Sequence, residues 1–260
     1  MTQNTNGAPR LLLALALLTA VAAHAAEPNG ADQPETQRWG LGLALATMRS
    51  PYAGVDTKTR VLPLLTYESR WLRFAGTQLD LKLPSYGTLD FALRTQYSIG
   101  EGYEASDSDR LAGMAERKGS VYVGLASTWH NAVANVSLAY LKDVSGHSEG
   151  SQLKLGIEHG FTWGQQARIV PHLQFTRLDG TSVDYFYGVR SDEVRQGRAA
   201  YQGDATLAVQ AGVRVQYSLA ARQRLLVDLS ATRYGSGVAD SPIVERRTVP
   251  QLRLGYLYAF

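Results

Sequence analysis

The sequence predicts an all-β fold, a transmembrane antiparallel up-and-down β-barrel of 12 strands (alternative 10) that follows a cleaved signal peptide. Three observations carry this. From Arg38 onward, apolar and polar residues alternate with period 2. The connections between alternating stretches switch between short and long, as in barrels with short periplasmic turns and longer extracellular loops. All four tryptophans then fall at the end with the short turns.

Composition sets the bounds. The chain has 260 residues, with 26 basic and 23 acidic side chains, a net charge of +3 too slight to suggest nucleic acid as a partner. It has no cysteine, hence no disulfide framework, thiolate metal site or Cys nucleophile. The mean hydropathy of −0.18 excludes a bundle of transmembrane helices.

In chain order, Arg10 precedes an apolar run from Leu11 to Ala23, too short to span a bilayer, for which about 20 residues are needed. Ala23 and Ala25 supply the small residues that a signal peptidase reads, so residues 1–25 are expected to be a signal peptide cut after Ala25. Residues 26–37, polar with two prolines, read as a flexible periplasmic lead-in. Residues 38–260 form the barrel, with strands expected near 38–49, 60–68, 71–76, 77–83, 88–97, 119–129, 132–143, 151–160, 166–177, 204–219, 223–234 and 247–260. The cleanest runs from Ala205 to Leu219, with Leu207, Val209, Val213 and Val215 on one face and Gln210, Arg214 and Gln216 on the other.

Short connections fall at 68–70, 84–87, 130–131, 161–165 and 220–222, and long ones at 50–59, 98–118, 144–150, 178–203 and 235–246. The tight turn inside 71–83 is the exception, yet counting it as two strands keeps every long loop on the outer side. Removing both short pieces also preserves parity, which gives the 10-strand alternative. A soluble sandwich accepts the same alternation, but would more naturally bury its tryptophans. Trp39, Trp71, Trp129 and Trp163 instead share the periplasmic rim as an aromatic girdle. Tyr256, Tyr258 and Phe260 lie on one face of the last strand and look like the terminal signal read by the barrel-insertion machinery. Pairing that strand with the first closes the wall.

Several segments in order resemble the family of the MltA-interacting protein (MipA) and the outer-membrane protein OmpV. They are Ser50-Pro51-Tyr52-Ala53-Gly54-Val55-Asp56 with Pro63 and Tyr67, then Gly102-Tyr103-Glu104, Ser106-Asp107-Ser108, Leu111-Ala112-Gly113-Met114 and Arg117. Tyr185-Phe186-Tyr187-Gly188-Val189 follows, with Tyr201 and Gly203, and the likeness spans nearly the whole mature chain. The Tyr185 segment carries one aromatic more than the family pattern. The resemblance implies export to the outer membrane of a Gram-negative cell. It also implies a scaffold role: the namesake connects a lytic transglycosylase, which cleaves peptidoglycan, to a bifunctional penicillin-binding protein, which makes it. Other members look like adhesins or are linked to antibiotic and osmotic response. No catalytic residues carry over.

The residues themselves offer little catalytic chemistry, so no enzyme, cofactor or metal is expected. His130, His147, His159 and His172 have no metal-site spacing. His147 and Ser148 are neighbours in a hairpin read as polar and solvated, and adjacent side chains diverge rather than form a triad. Nine charges fall on the interior face: Asp80, Lys82, Asp90, Arg94, Lys154, Glu158, Arg214, Asp228 and Arg253. They could line a selective pore, but five basic against four acidic residues in a narrow lumen predicts mutual pairing. Arg60, Arg110, Arg117, Arg190, Arg195, Arg198, Arg233, Arg246 and Arg247 fall on the outer side, where they either meet lipopolysaccharide phosphates or form a solvated face with Asp192, Glu193 and Glu245. The leading expectation is a non-enzymatic scaffold acting at the periplasmic rim, with a small-solute channel and a surface adhesin as alternatives.

Overall fold

The computed structural model describes residues 37–98 and 100–260. The expected cleavage site at Ala23 and Ala25, and the lead-in up to Thr36, lie outside the described residues. Chain order gives β1 (Arg38–Met48), β2 (Lys58–Glu68), β3 (Leu72–Ala75), β4 (Gln78–Tyr86), β5 (Leu89–Tyr97), β6 (Val121–His130) and β7 (Asn135–Asp143). β8 (Ser151–Glu158), β9 (Phe161–Trp163), β10 (Ala167–Leu178), β11 (Thr206–Ala220), β12 (Gln223–Tyr234) and β13 (Thr248–Ala259) complete the sheet.

Every neighbouring pair is antiparallel, and the wall closes. β13 pairs with β1 from Gln251↔Met48 to Ala259↔Gly40, and β10 pairs with β11 along its whole length. β8 and β9 lie end to end against β10, on either side of His159 and Gly160, and form one stave. The thirteen strand segments therefore make twelve staves, and the 10-strand alternative is excluded because β3 and β4 form a hairpin in the wall. Closure gives every stave a neighbour on both sides, so no strand is a free edge over its whole length.

The alternation sorts side chains as the period requires. On β11, Leu207, Val213, Tyr217 and Leu219 are exposed on the outer face, while Arg214 on the opposite face is buried. Two local differences from the sequence expectation have simple causes. Pro84-Ser85-Tyr86 reads as a turn but continues β4, because an irregularity between Leu83 and Tyr86 absorbs the proline and the turn shrinks to Gly87-Thr88. Phe161 to Trp163 likewise extends the stave rather than turning.

Glycines shape the ring at two places. A Cβ on Gly42 would lie 1.8 Å from the Tyr256 carbonyl oxygen, and one on Gly124 1.8 Å from that of Tyr140. Such close backbone approach admits only glycine and lets the wall coil sharply. β1 and β6, which carry these glycines, lie five staves apart one way round the ring and seven the other.

One seam is shorter than the rest. β3 covers only Thr66 to Glu68 of β2. Above that point, Lys58–Leu64 has β1 as its only ladder partner among the described residues. The Leu65 carbonyl faces the open side and accepts from the Gly76 N–H at 3.3 Å. Pro63, two residues away, faces the same side and has no N–H to leave unsatisfied, which is where an edge tolerates proline.

Candidate functional site

The long loops do not stand free. They fold over the outer end of the barrel and share a buried apolar core of Tyr52, Tyr103, Leu111, Met114, Phe186 and Ile243, joined by Val183 and Val238 at 0% exposure. Helix α1 (Gly180–Tyr187) lies in this cap. Asp179 starts it by accepting from the Ser182 N–H at 2.8 Å, and also accepts from the Ser151 N–H and hydroxyl, each at 2.7 Å, which ties the helix to the end of β8. A second short helix, α2 (Ser236–Ala239), and one-turn 3-10 helices at Ala105–Asp107 and Ser191–Glu193 complete the cap. None of these helices was legible as period in the sequence.

Polar clamps bind loop to loop. Arg117 places Nη2 3.0 Å from both carboxylate oxygens of Glu193, and donates to the carbonyls of Tyr185 and Ala115 at 2.7 and 3.0 Å. Arg198 donates to the carbonyls of Glu193, Arg110 and Ala112. Both arginines are buried, at 3% and 4% exposure, as is Glu193, so for these residues both expectations, contact with lipopolysaccharide and a solvated loop face, are corrected: the arginine forks are spent inside the cap. Arg110, Arg190, Arg195, Arg233 and Arg247 remain exposed on the outer side, Arg246 is half-buried, and Arg60 belongs to β2. Burial alone would raise the Glu193 carboxyl, but the N–H groups of Arg190 and Ala115, together with Arg117, hold it below its ordinary value. Burial pushes Tyr103 up to about 12 and Tyr52 and Tyr187 well above the ordinary tyrosine range.

The hairpin at 144–150 also differs from expectation. Ser148 is buried, and its N–H and hydroxyl donate to Asp143 at 2.6 and 2.8 Å. His147 instead places Nδ1 2.8 Å from the Gly119 carbonyl oxygen. The short Asp143 side chain gathers the loop back on itself, which pulls Ser148 out of water.

Beneath the cap the lumen holds a cavity of about 530 Å³, which runs from Tyr52 and Tyr187 at its roof to Asp90 and His130 at the periplasmic end. The nine interior charges surround it or stand directly behind it. Arg94 forks onto Asp80 at 2.8 and 2.9 Å. Arg214 lies 3.4 Å from both Glu158 and Asp228, and Asp228 also meets His172 at 3.0 Å. Near the periplasmic mouth, Lys82 and Arg73 converge on Glu68, while Asp90 meets His130 at 2.9 Å. Lys154 and Arg253 contact the glutamine side chains of Gln96 and Gln251 at 3.0 and 2.7 Å. Glu68 and Arg73 escaped the sequence reading because both sit beside a turn, where period 2 fades.

Trp39, Trp71, Trp129 and Trp163 are exposed at the periplasmic end, at 47, 58, 49 and 72%. The Arg70 guanidinium lies 4.9 Å from the centre of the Trp71 ring. Tyr256 and Tyr258 are matched with Leu43 and Leu41 of β1, and the Phe260 N–H donates to the Trp39 carbonyl at 2.9 Å, which completes the closing seam.

The chain is 23% identical to the putative outer membrane protein YiaT of Escherichia coli K12, over 79% of this chain and 84% of that one. It is 26% identical to the outer membrane protein OmpV of Vibrio cholerae, over 57% of this chain and 58% of the relative. Against the MltA-interacting protein of Escherichia coli K12 the identity is 22%, over 96% of this chain and 98% of the other. These relatives and the closed barrel place the protein in the outer membrane. Residues 41–260 match the family described as MltA-interacting protein MipA, and the chain belongs to that family.

Proposed function

We propose that the protein is a non-enzymatic outer-membrane scaffold that recruits a peptidoglycan lytic transglycosylase, and with it a bifunctional penicillin-binding protein, to its periplasmic end. The observation that carries this reading is the cap. Its apolar core stoppers the outer mouth and occupies the loops that an adhesin would present. The periplasmic end remains, with its short turns and its exposed tryptophans. Similarity to the MltA-interacting protein over nearly the whole length supports the same choice of partner.

A tagged mature protein, purified from gently solubilised envelopes, should bring down a lytic transglycosylase together with a penicillin-binding protein, identified by mass spectrometry. Deletion of residues 27–37 should reduce that recovery without preventing insertion. Recovery of neither enzyme by the intact barrel rejects the scaffold. A channel is the second reading, favoured by the charged cavity, and stepwise conductance in a planar bilayer would mark it.

A further inference from the structure

The wall carries charge on both of its faces, but unevenly. The acidic residues of the strands, Glu68, Asp80, Asp90, Asp143, Glu158 and Asp228, all point inward. On the outward rows, among the described residues, the charged side chains are Lys142, Arg177 and Arg233. All three are exposed cations, and each is the second-last residue of a strand that rises to the outer end: β7, β10 and β12. Arg49 and Arg247, also exposed, stand at the same end, just past β1 and just before β13. A charge beside lipid is tolerated near either polar boundary of the bilayer, so position alone explains neither the single sign nor the single end.

The register gathers these cations on one arc. Arg177 lies opposite Leu207 of β11, and Arg233 lies opposite Val209 of the same strand and Thr248 of β13. On the other side of β13, the Arg49 N–H donates to the Pro250 carbonyl at 3.3 Å. Arg233 and Arg49 thus flank β13, about 10 Å apart across the staves. Arg49, Arg177 and Arg233 make no side-chain hydrogen bond or ion pair with any described residue. Lys142 donates to the Glu149 carbonyl, and Arg247 lies 3.5 Å from Asp240. Toward the membrane centre the same rows are apolar and exposed, with Tyr140 below Lys142, Leu173 below Arg177 and Leu229 below Arg233.

We propose that this arc is a docking surface for lipopolysaccharide, whose lipid phosphates are held by Arg49, Arg177 and Arg233, with Lys142 and Arg247 at the flanks, and whose acyl chains lie on the apolar rows beneath. A guanidinium without a carboxylate partner keeps its fork for a phosphate, and such charge-assisted bonds are the strong kind. The side chains do not converge on one group. They stand along a rim and meet a leaflet in which phosphates recur. Their flexible stems stay against apolar surface while the charged ends rise to the head groups. Lipopolysaccharide fits because it forms the leaflet around the outer end of such a barrel and joins phosphates to several acyl chains.

This surface lies at the opposite end of the barrel from the one proposed for partner recruitment, so the two readings fail separately. The detergent-refolded barrel is titrated with a lipopolysaccharide of defined composition, with the same lipid stripped of its phosphates, and with phosphatidylglycerol, and the complexes are followed by native mass spectrometry. The phosphorylated lipopolysaccharide should bind, and the other two at least about tenfold more weakly, from the loss of charged hydrogen bonds. Arg49→Gln, Arg177→Gln and Arg233→Gln combined should weaken binding by about the same factor, and the matching lysine variant, which keeps the charge, should retain more of it. Arg222→Gln, in a periplasmic turn, should bind as wild type does. Folding of each variant is checked by its heat-dependent shift in gel mobility. No binding by folded wild type, equal binding after removal of the phosphates, equal binding of phosphatidylglycerol, or unaltered binding by the folded triple glutamine variant would overturn the proposal.

Discussion

Glu193 shows how one side chain can hold two distant loops together. Its carboxylate joins Arg117, 76 positions earlier in the chain, and the N–H groups of Ala115 and Arg190. A carboxyl held below its ordinary 4.5 contributes stability that is complete above that value and is lost as pH falls through its value in the folded cap. Lowering the pH from neutral through the value at which Glu193 protonates in the folded cap, below 4.5, should therefore loosen the cap, read as faster amide hydrogen exchange in residues 183–189 than in β11. The tyrosines set the opposite limit. Tyr103 is raised from 10 to about 12, so its contribution is present below pH 10 and is lost as pH rises toward about 12. The cap should stay closed between those limits, and Glu193→Gln should weaken the acid response while leaving the alkaline one, the remaining acid response coming from Asp179, whose carboxylate caps α1 and is also held below its ordinary value.

At the scale of elements, the strands and the glycines that let them coil matter most. Gly42→Val or Gly124→Val would drive a side chain into the backbone of the adjacent stave and should lower the yield of folded barrel, measured by gel mobility with and without heating. Gly255→Ala is the control, because its Cβ would meet Leu226 at an ordinary 3.4 Å. The strands were legible from sequence because lipid on one side and a polar lumen on the other impose period 2 on every stave. That contrast disappears where a stave leaves the bilayer, so Pro84 to Tyr86 and Phe161 to Trp163 were expected as turns. In the cap no two-sided environment exists. α1 reads as GTSVDYFY, an aromatic stretch without a clear polar stripe, and the Arg117–Glu193 pair joins two loops whose contact no local pattern encodes.

For the whole molecule, a ring of twelve staves, a paired lumen and a stopper predict a barrel that does not conduct at rest. Wild type should show no stepwise current in planar bilayers. Arg117→Ala leaves Glu193 buried without its cation, which is costly in a closed core, and should produce current by releasing the loops. Stepwise current in wild type would reject the stopper and favour the channel reading.

The short seam between β2 and β3 has a consequence for how such a ring comes apart. A closed wall in which all seams were equally long would have no preferred place to open. Here three paired positions join β2 to β3, whereas twelve join β10 to β11. The ring should unzip first at the short seam, and partial opening there would leave the rest of the sheet standing as a curved ribbon. Amides of Thr66 to Glu68 and Arg73 to Ala75 should exchange ahead of those in β10 and β11 as denaturant is raised, and uniform exchange round the ring would contradict this. The protein would then carry, in a wall with no free ends, a built-in first step of disassembly.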